Sequence, residues 1–415
     1  MEKIAIIGMG VRGKLFAHLL QKYHKDAQLS AICDTDTARL AEAAAEFELD
    51  PRQTYSTTDE FFESGKIADG LIICSGDSTH FTLAARALKC GYHVLLEKPI
   101  SSDPQACEAL TRMASQSIGR IFICHELRYA DFARRIKAIL DSGEFGSLTA
   151  IEQTESIGYY HYAHSYVRGN WRRSDSSGPI LLTKSCHDLD LLCYFAGSRC
   201  RGVSSVGRRT YFTPENRPQG AADFCYKCAL KDGCAFDCTA FYLQNRDWLD
   251  RAGGPSDRTE AEIEAWLREE QNPYARCVFA CDNDVCEHQA VHLNFENGVL
   301  ATLNLSAFTA HQKRTIRLFC TGGELEYDTL QNELICRPFG KSAYTVRLSN
   351  EKHGGGDRLL LADFIRCLRA PDSAEGLTEI NRAVESHRIA FAAEKSRTEN
   401  GKLILLDIEN GGDKL

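Results

Sequence analysis

Apolar residues follow two regimes along this chain. Over the first 125 residues, short β-branched runs at 3–7, 29–33, 70–74, 93–97 and 120–124 alternate with helix-spaced apolar positions at 13–23, 37–47, 79–90 and 105–116. Continuous apolar runs separated by helical stretches predict a doubly wound parallel sheet with helices on both faces. Ser101-Ser102-Asp103-Pro104 supplies N-cap chemistry for the fourth helix.

Beyond residue 125 the period shifts toward two. A helix at 131–142 and a Gly-containing turn at 143–146 precede a strand at 148–155, and apolar–polar alternation recurs at 289–295, 299–308, 315–320, 324–327 and 343–348. Asn297-Gly298 between two of these segments is a hairpin signal. Helices at 357–368 and 378–395 close the chain. The prediction is two domains: residues 1–125, and an α+β domain over 126–415 built on a largely antiparallel open sheet. A Cys-rich insertion at about 210–285, with a charged helix at 258–270, interrupts the second.

A chain of 415 residues suits two cores better than one. A net charge of −8 argues against nucleic-acid binding, which normally needs a basic stripe. No apolar run reaches the roughly 18 residues of a membrane span, and the first residues lack the pattern of a secretory signal. A cytoplasmic protein without membrane partners is expected. Among 18 cysteines, Cys33, Cys74 and Cys124 fall in apolar runs and read as small buried hydrophobes.

Candidate chemistry begins where the first strand ends. Gly8-Met9-Gly10-Val11-Arg12-Gly13 leads from that strand into a helix, the dinucleotide fingerprint of a Rossmann domain. Its glycines permit a tight turn, approach of a pyrophosphate and close helix packing. Asp34, 21 residues after Gly13, ends the second strand, where a carboxylate accepts hydrogen bonds from ribose hydroxyls. That favours NAD over NADP, with Arg39 keeping NADP as the lesser alternative. Ser75, Thr79 and His80 follow the next strand and suit the nicotinamide half of a crevice, although His80 reads equally as a helix-surface histidine. Glu97-Lys98-Pro99 ends the strand after that. Pro99 ends ladder pairing, so Lys98 stands either as a solvated strand-end lysine or as a proton donor and acceptor in the ligand crevice.

With the fingerprint, Asp34, Thr79-His80, Glu97-Lys98-Pro99 and His125-Glu126-Leu127-Arg128-Tyr129, the chain resembles the glucose–fructose oxidoreductase/inositol dehydrogenase (Gfo/Idh/MocA) family over nearly its full length. The resemblance implies hydride transfer at a secondary hydroxyl of a sugar or cyclitol. It also implies Glu97 and Lys98 beside the cofactor, a cis bond before Pro99, Arg128 among substrate contacts, and a homodimer or homotetramer. The family's Asp-x-x-x-His motif, which places both side chains on one helix face, corresponds here to Thr183 and His187, with Lys184 three residues before the histidine. Lys98, His187 and Lys184 are therefore the expected acid/base set, and Lys184 is expected to depress the pKa of the other two.

Tyr159, His164, Arg168 and Trp171, in a segment dense in aromatics, suit a carbohydrate ring and equally a subunit interface. Besides net dehydrogenation, the resemblance leaves open a redox-neutral glycosidase using the same hydride step and an NAD-bound sensor without catalysis. Seven cysteines lie between Cys225 and Cys286. Cys225, Cys228 and Cys234, with Cys277 or Cys281, are expected to hold a structural zinc. Free thiols are the alternative, and an iron–sulfur cluster a lesser one.

Overall fold

A computed structural model describes residues 1–255, 259–371 and 373–406. β1 (Glu2–Ile7), β2 (Ala27–Cys33), β3 (Thr54–Tyr55), β4 (Gly70–Ile73), β5 (His93–Leu96) and β6 (Ile121–Ile123) form a parallel sheet in the order β3-β2-β1-β4-β5-β6. Strand periodicity sends Ala5, Ile7, Leu71, Ile73, Val94 and Leu96 to one core, and Ile4, Ile6, Ile72 and Leu95 to another. Both faces are covered, which is why these runs read as continuously apolar. The two-residue edge strand β3 carries no periodic signal.

The second sheet comprises β7 (Leu148–Ser156), β8 (Cys200–Arg208), β9 (His288–Phe295), β10 (Leu300–Ser306), β11 (Lys313–Cys320), β12 (Gly323–Asp328), β13 (Glu333–Pro338), β14 (Tyr344–Arg347) and β15 (Ile404–Leu405), ordered β14-β13-β12-β11-β7-β10-β9-β8-β15. Only β7 and β10 pair in parallel. Of the Asn297-Gly298 turn, Gly298 alone takes positive φ (86°). One face packs on helices Asp131–Ser142, Cys186–Ala196 and Ile380–Thr398, giving the largest apolar core. Helix Gly356–Arg369 instead buries Leu360, Leu361 and Phe364 against the first sheet. Late chain thus packs on early chain, which a linear reading does not reveal.

Residues between β8 and β9 build a lobe. The expected helix at 258–270 is observed as Glu260–Leu267 behind a Thr259 capping box, and Arg258 lies outside the described residues. The lobe has its own apolar core of Tyr242, Leu249, Ile263, Trp266, Leu267 and Tyr274. Buried Glu287 staples its entry by accepting the backbone N–H groups of Thr210 (2.6 Å), Tyr211 (2.8 Å) and Phe212 (2.6 Å). Among the described residues no helix is long and apolar enough to cross a membrane.

Candidate active site

The end of β1 is shaped for a dinucleotide. Gly8 sits at φ 91°, and a Cβ there would come within 2.6 Å of the Cys74–Ser75 backbone. A Cβ on Gly13 would strike the Gly8 carbonyl at 2.0 Å, whereas one on Gly10 meets nothing within 4 Å. Gly10 thus borders open space at the start of helix Val11–Tyr23, which no side chain caps. An uncapped helix N-terminus facing space suits a pyrophosphate. Asp34 is buried; its carboxylate accepts the N–H groups of Met9 (2.7 Å) and Asp36 (2.9 Å), so it shapes the glycine turn as well as offering oxygens to a ribose. Arg39 reaches Asp34 (3.4 Å) and Asp36 (3.1 Å).

Arg12, within the expected cofactor-binding turn, is held by carboxylates in this structure. Its guanidinium pairs with Glu97 (2.5 Å) and Asp357 (2.8 Å), tying the glycine turn to the end of β5 and to the helix Gly356–Arg369. Burial lowers its pKa, but Glu97, Asp357 and Glu126 reverse this and hold it well above the usual value. Glu97 is likewise occupied by Arg12 and by the N–H of Lys98.

Lys98 follows β5 through a cis Lys98–Pro99 peptide. Its ammonium donates to the Thr183 carbonyl (3.2 Å) and lies 5.9 Å from the centre of the Trp171 ring. The Trp171 indole N–H donates to Asp77 Oδ2 at 2.9 Å. Burial draws the lysine pKa down, but Cys186, Glu97, Asp77 and Glu126 together raise it above its ordinary value. The expected depression by Lys184 is not seen at Lys98: after burial, Cys186 and then Glu97, Asp77 and Glu126 are the charges that act on it.

The expected continuous helix through Thr183 and His187 is broken. Ile180–Thr183 and Cys186–Ala196 are separate helices, with Lys184 and Ser185 forming the joint. Thr183 consequently meets Lys98 through its carbonyl. Lys184 is drawn into a buried network: its Nζ lies 3.0 Å from Glu155, which also pairs with Arg314 (3.1 Å), and Arg314 binds Asp188 (2.6 Å). Lys184, expected as part of the acid/base set, is thus paired with a carboxylate in this structure. His187 stays beside Lys98, with Nδ1 3.6 Å from Glu126 Oε2 and its ring 5.5 Å from that of His125. Burial, then Lys98, His125, Arg314 and Lys184, hold its pKa well below 6.5, so the imidazole is neutral.

Other expected contacts divide. Trp171 reaches the site. Tyr159 sits partly buried against Tyr160 and Phe236. Arg128 is committed to Asp190 by two 2.7 Å bonds and to the Leu377 carbonyl (3.0 Å). His164 is buried against Tyr274 and bonds the Tyr242 hydroxyl at 2.7 Å. Arg168 is buried in the lobe, donating to the Arg276 and Phe236 carbonyls, both at 2.7 Å. In this structure Arg128, His164 and Arg168, expected as substrate contacts, make these contacts within the protein. His80 is fully buried, its nitrogens facing the Pro99 (2.6 Å) and Ser75 (3.1 Å) carbonyls. It clamps two crevice loops together and is no surface histidine. Ser75 and Thr79 hydroxyls bond each other at 2.6 Å.

Sequence reasoning missed Asp77, Glu126 and the Thr183 carbonyl. Asp77 and Glu126 lie just past the carboxyl ends of β4 and β6, where an open α/β sheet places ligands; that rule, applied to every strand, would have found them.

The cysteines also regroup. Among the described residues, the cluster with metal-ligand potential is Cys225, Asp237 and Cys238, their donor atoms within 4.8 Å of one another. Of the expected ligands Cys225 alone belongs to it, with Cys228, Cys234, Cys277 and Cys281 outside it. Asp237 is already the N-cap of helix Cys238–Gln244, and Arg168 Nη2 lies 3.6 Å from Cys225 Sγ. Arg168 and a hydrogen bond from Cys238 outweigh burial and bring the Cys225 thiol down to about 6, Cys238 being the larger influence.

A glycine turn at a helix N-terminus, a buried carboxylate at the second strand and a lysine at the sheet's carboxyl edge define a nicotinamide-dinucleotide oxidoreductase. The profile of the "oxidoreductase family, NAD-binding Rossmann fold" matches residues 2–125, and that of the "GFO/IDH/MocA C-terminal domain" matches residues 133–226. The chain belongs to the Gfo/Idh/MocA family of oxidoreductases. It is 23% identical over 386 residues to an oxidoreductase of Bacillus subtilis, YteT, covering 88% of each chain. A UDP-N-acetylglucosamine 3-dehydrogenase of Acidithiobacillus ferrooxidans is 32% identical over 210 residues, covering 49% of this chain and 58% of that one. The WlbA dehydrogenase of Bordetella pertussis, solved with NADH and UDP-GlcNAcA, superposes with a TM-score of 0.68 at 16% identity, covering 98% of this chain and 99% of that one. This last likeness is one of fold.

Proposed function

We propose that the chain transfers hydride between NAD and the carbinol carbon of a secondary hydroxyl on a sugar-like ring. In this reading residues 1–125 bind the cofactor and residues 126–415 supply the substrate side. The observation that carries it is the Lys98 ammonium: it sits at the carboxyl edge of the parallel sheet, bonded to the Thr183 carbonyl and facing the Trp171 ring. Bound NAD supplies the hydride acceptor or donor. Lys98 Nζ supplies the proton in the reducing direction and, once deprotonated, accepts it in the oxidising direction. Neutral His187 accepts or donates a hydrogen bond to a ring hydroxyl, with the Glu126 carboxylate 3.6 Å from its Nδ1. Trp171 offers an aromatic face to the C–H side of the ring. Asp34 favours NAD over NADP, since a 2′-phosphate would meet its carboxylate.

Relatives named for activity on UDP-N-acetylglucosamine and myo-inositol support a ring bearing secondary hydroxyls. The redox-neutral glycosidase loses its motivating feature, because Lys184, the further base it needs, is held by Glu155. The test is NADH formation at 340 nm with myo-inositol, UDP-N-acetylglucosamine and a wider sugar panel, comparing wild type with Lys98→Met. The variant should bind NAD and lose turnover. Turnover within a few-fold of wild type overturns the acid/base reading.

A further inference from the structure

We propose that Asp77 is a positioning residue that, through Trp171, locks the substrate platform against Lys98 and sets its carboxylate charge next to that lysine's aromatic cover. The inference rests on Lys98 being the acid/base. Asp77 lies in the loop after β4 and Trp171 lies 94 residues later, beyond β7, yet the indole N–H meets Asp77 Oδ2 at 2.9 Å. The same indole faces the Lys98 ammonium at 5.9 Å and stacks at 28° on Tyr166, its centroid 6.0 Å away. One carboxylate thus fixes the plane of an aromatic wall and places a negative charge beside the ammonium that the wall covers. A hydrogen bond to a charged acceptor is stronger than a neutral one, and a cation is favoured over an indole face.

The groups facing Lys98 come from every element around it. Glu97 precedes it on its own strand, Cys186 and His187 lie on the helix Cys186–Ala196, and His125 and Glu126 follow β6. His387 lies on the last long helix, and Asp77 completes the set. Glu97 is paired with Arg12, and Glu126 lies toward His187. Asp77 is the one of these carboxylates bonded to the side chain that covers the ammonium.

Charge and hydrogen bond can be separated. Asp77→Asn keeps an oxygen for the indole and removes the charge, whereas Asp77→Ala removes both. The pH midpoint of Lys98 acetylation by acetic anhydride, read by peptide mass spectrometry, should fall by about 0.5–1 pH unit in both variants. The chain has three tryptophans, so three indole N–H signals are expected in a nitrogen-15 spectrum, with Trp171→Phe identifying its own. That signal should move upfield and exchange faster with water in Asp77→Ala, and stay near its wild-type position in Asp77→Asn. An unmoved midpoint in Asp77→Asn, or an unmoved Trp171 signal in Asp77→Ala, overturns the lock. Neither readout requires turnover, so a failure here is distinct from retained turnover in Lys98→Met, which overturns the acid/base reading instead.

Discussion

Two lysines enter the same part of the molecule and are treated oppositely. Lys98 meets a carbonyl and an aromatic face, with carboxylates nearby but none bonded to its Nζ. Lys184, from the joint between two helices, is pinned at 3.0 Å to Glu155 inside a chain of charges running through Arg314 to Asp188. Both are largely enclosed, so burial does not separate them. The difference is what neutralises the charge: a bonded carboxylate consumes the lysine's capacity to exchange a proton, whereas a surrounding field leaves the proton available. On the proposed reading, the second arrangement suits proton exchange and the first suits fold integrity.

The widest gap should come from exchanging the two residues' fates. Lys98→Met should cost roughly a thousandfold in kcat with little change in Tm, while Lys184→Met should lower Tm and change kcat by less than about tenfold. Equal kinetic losses would erase the distinction. Next, Glu155→Gln leaves Lys184 and Arg314 without their shared carboxylate, and urea unfolding should report a loss of about 3–5 kcal/mol; a loss below about 1 kcal/mol means the network is solvated.

Acid should act on the Lys98 side through its neutral histidines. His387 is driven down to about 3 by burial first and by His125, and its Nε2 accepts the Ile100 N–H at 2.9 Å. His164, on the lobe side, is also driven down to about 3, by burial and then Arg168. The unfolded chain binds protons below about 6.5 and the folded chain does not. Their contribution is therefore complete above pH 6.5 and is lost as pH falls toward 3, by about 1.4 kcal/mol per pH unit for each. His387→Gln should flatten that slope, and a slope unchanged by the substitution removes His387 from the account. The smallest effect is expected in the lobe: Cys228→Ser and Cys234→Ser should each shift stability by no more than about 0.5 kcal/mol. A large drop matched by chelator treatment would restore the four-thiolate zinc site.

The parallel sheet was legible because its strands are buried on both faces and interrupted by helices. Gly8, Gly13 and Asp34 were legible because each answers a local demand, a turn, a close approach or a strand end. Strands Cys200–Arg208 and Glu333–Pro338 escaped because small and charged residues break their alternation. The contacts of Arg128, His164 and Arg168 were not legible, because an arginine or histidine near aromatics looks the same in sequence whether its donors face a ligand or a neighbouring carbonyl. The cysteines misled because spacing counts thiols, while a site requires their sulfurs to converge.

By itself the sequence determined the two-regime architecture, the dinucleotide turn, and the placing of Lys98 at the end of a buried strand, since each follows from local periodicity and turn chemistry. Tertiary structure alone decided the company that lysine keeps. Asp77, Trp171, Thr183 and Glu126 come from four separate segments and meet only when the sheets pack. The same packing gathers Lys184 with a carboxylate on β7, itself paired with an arginine on β11, from distant stretches of chain. Charge acts through space, and only the folded chain determines which charges are near.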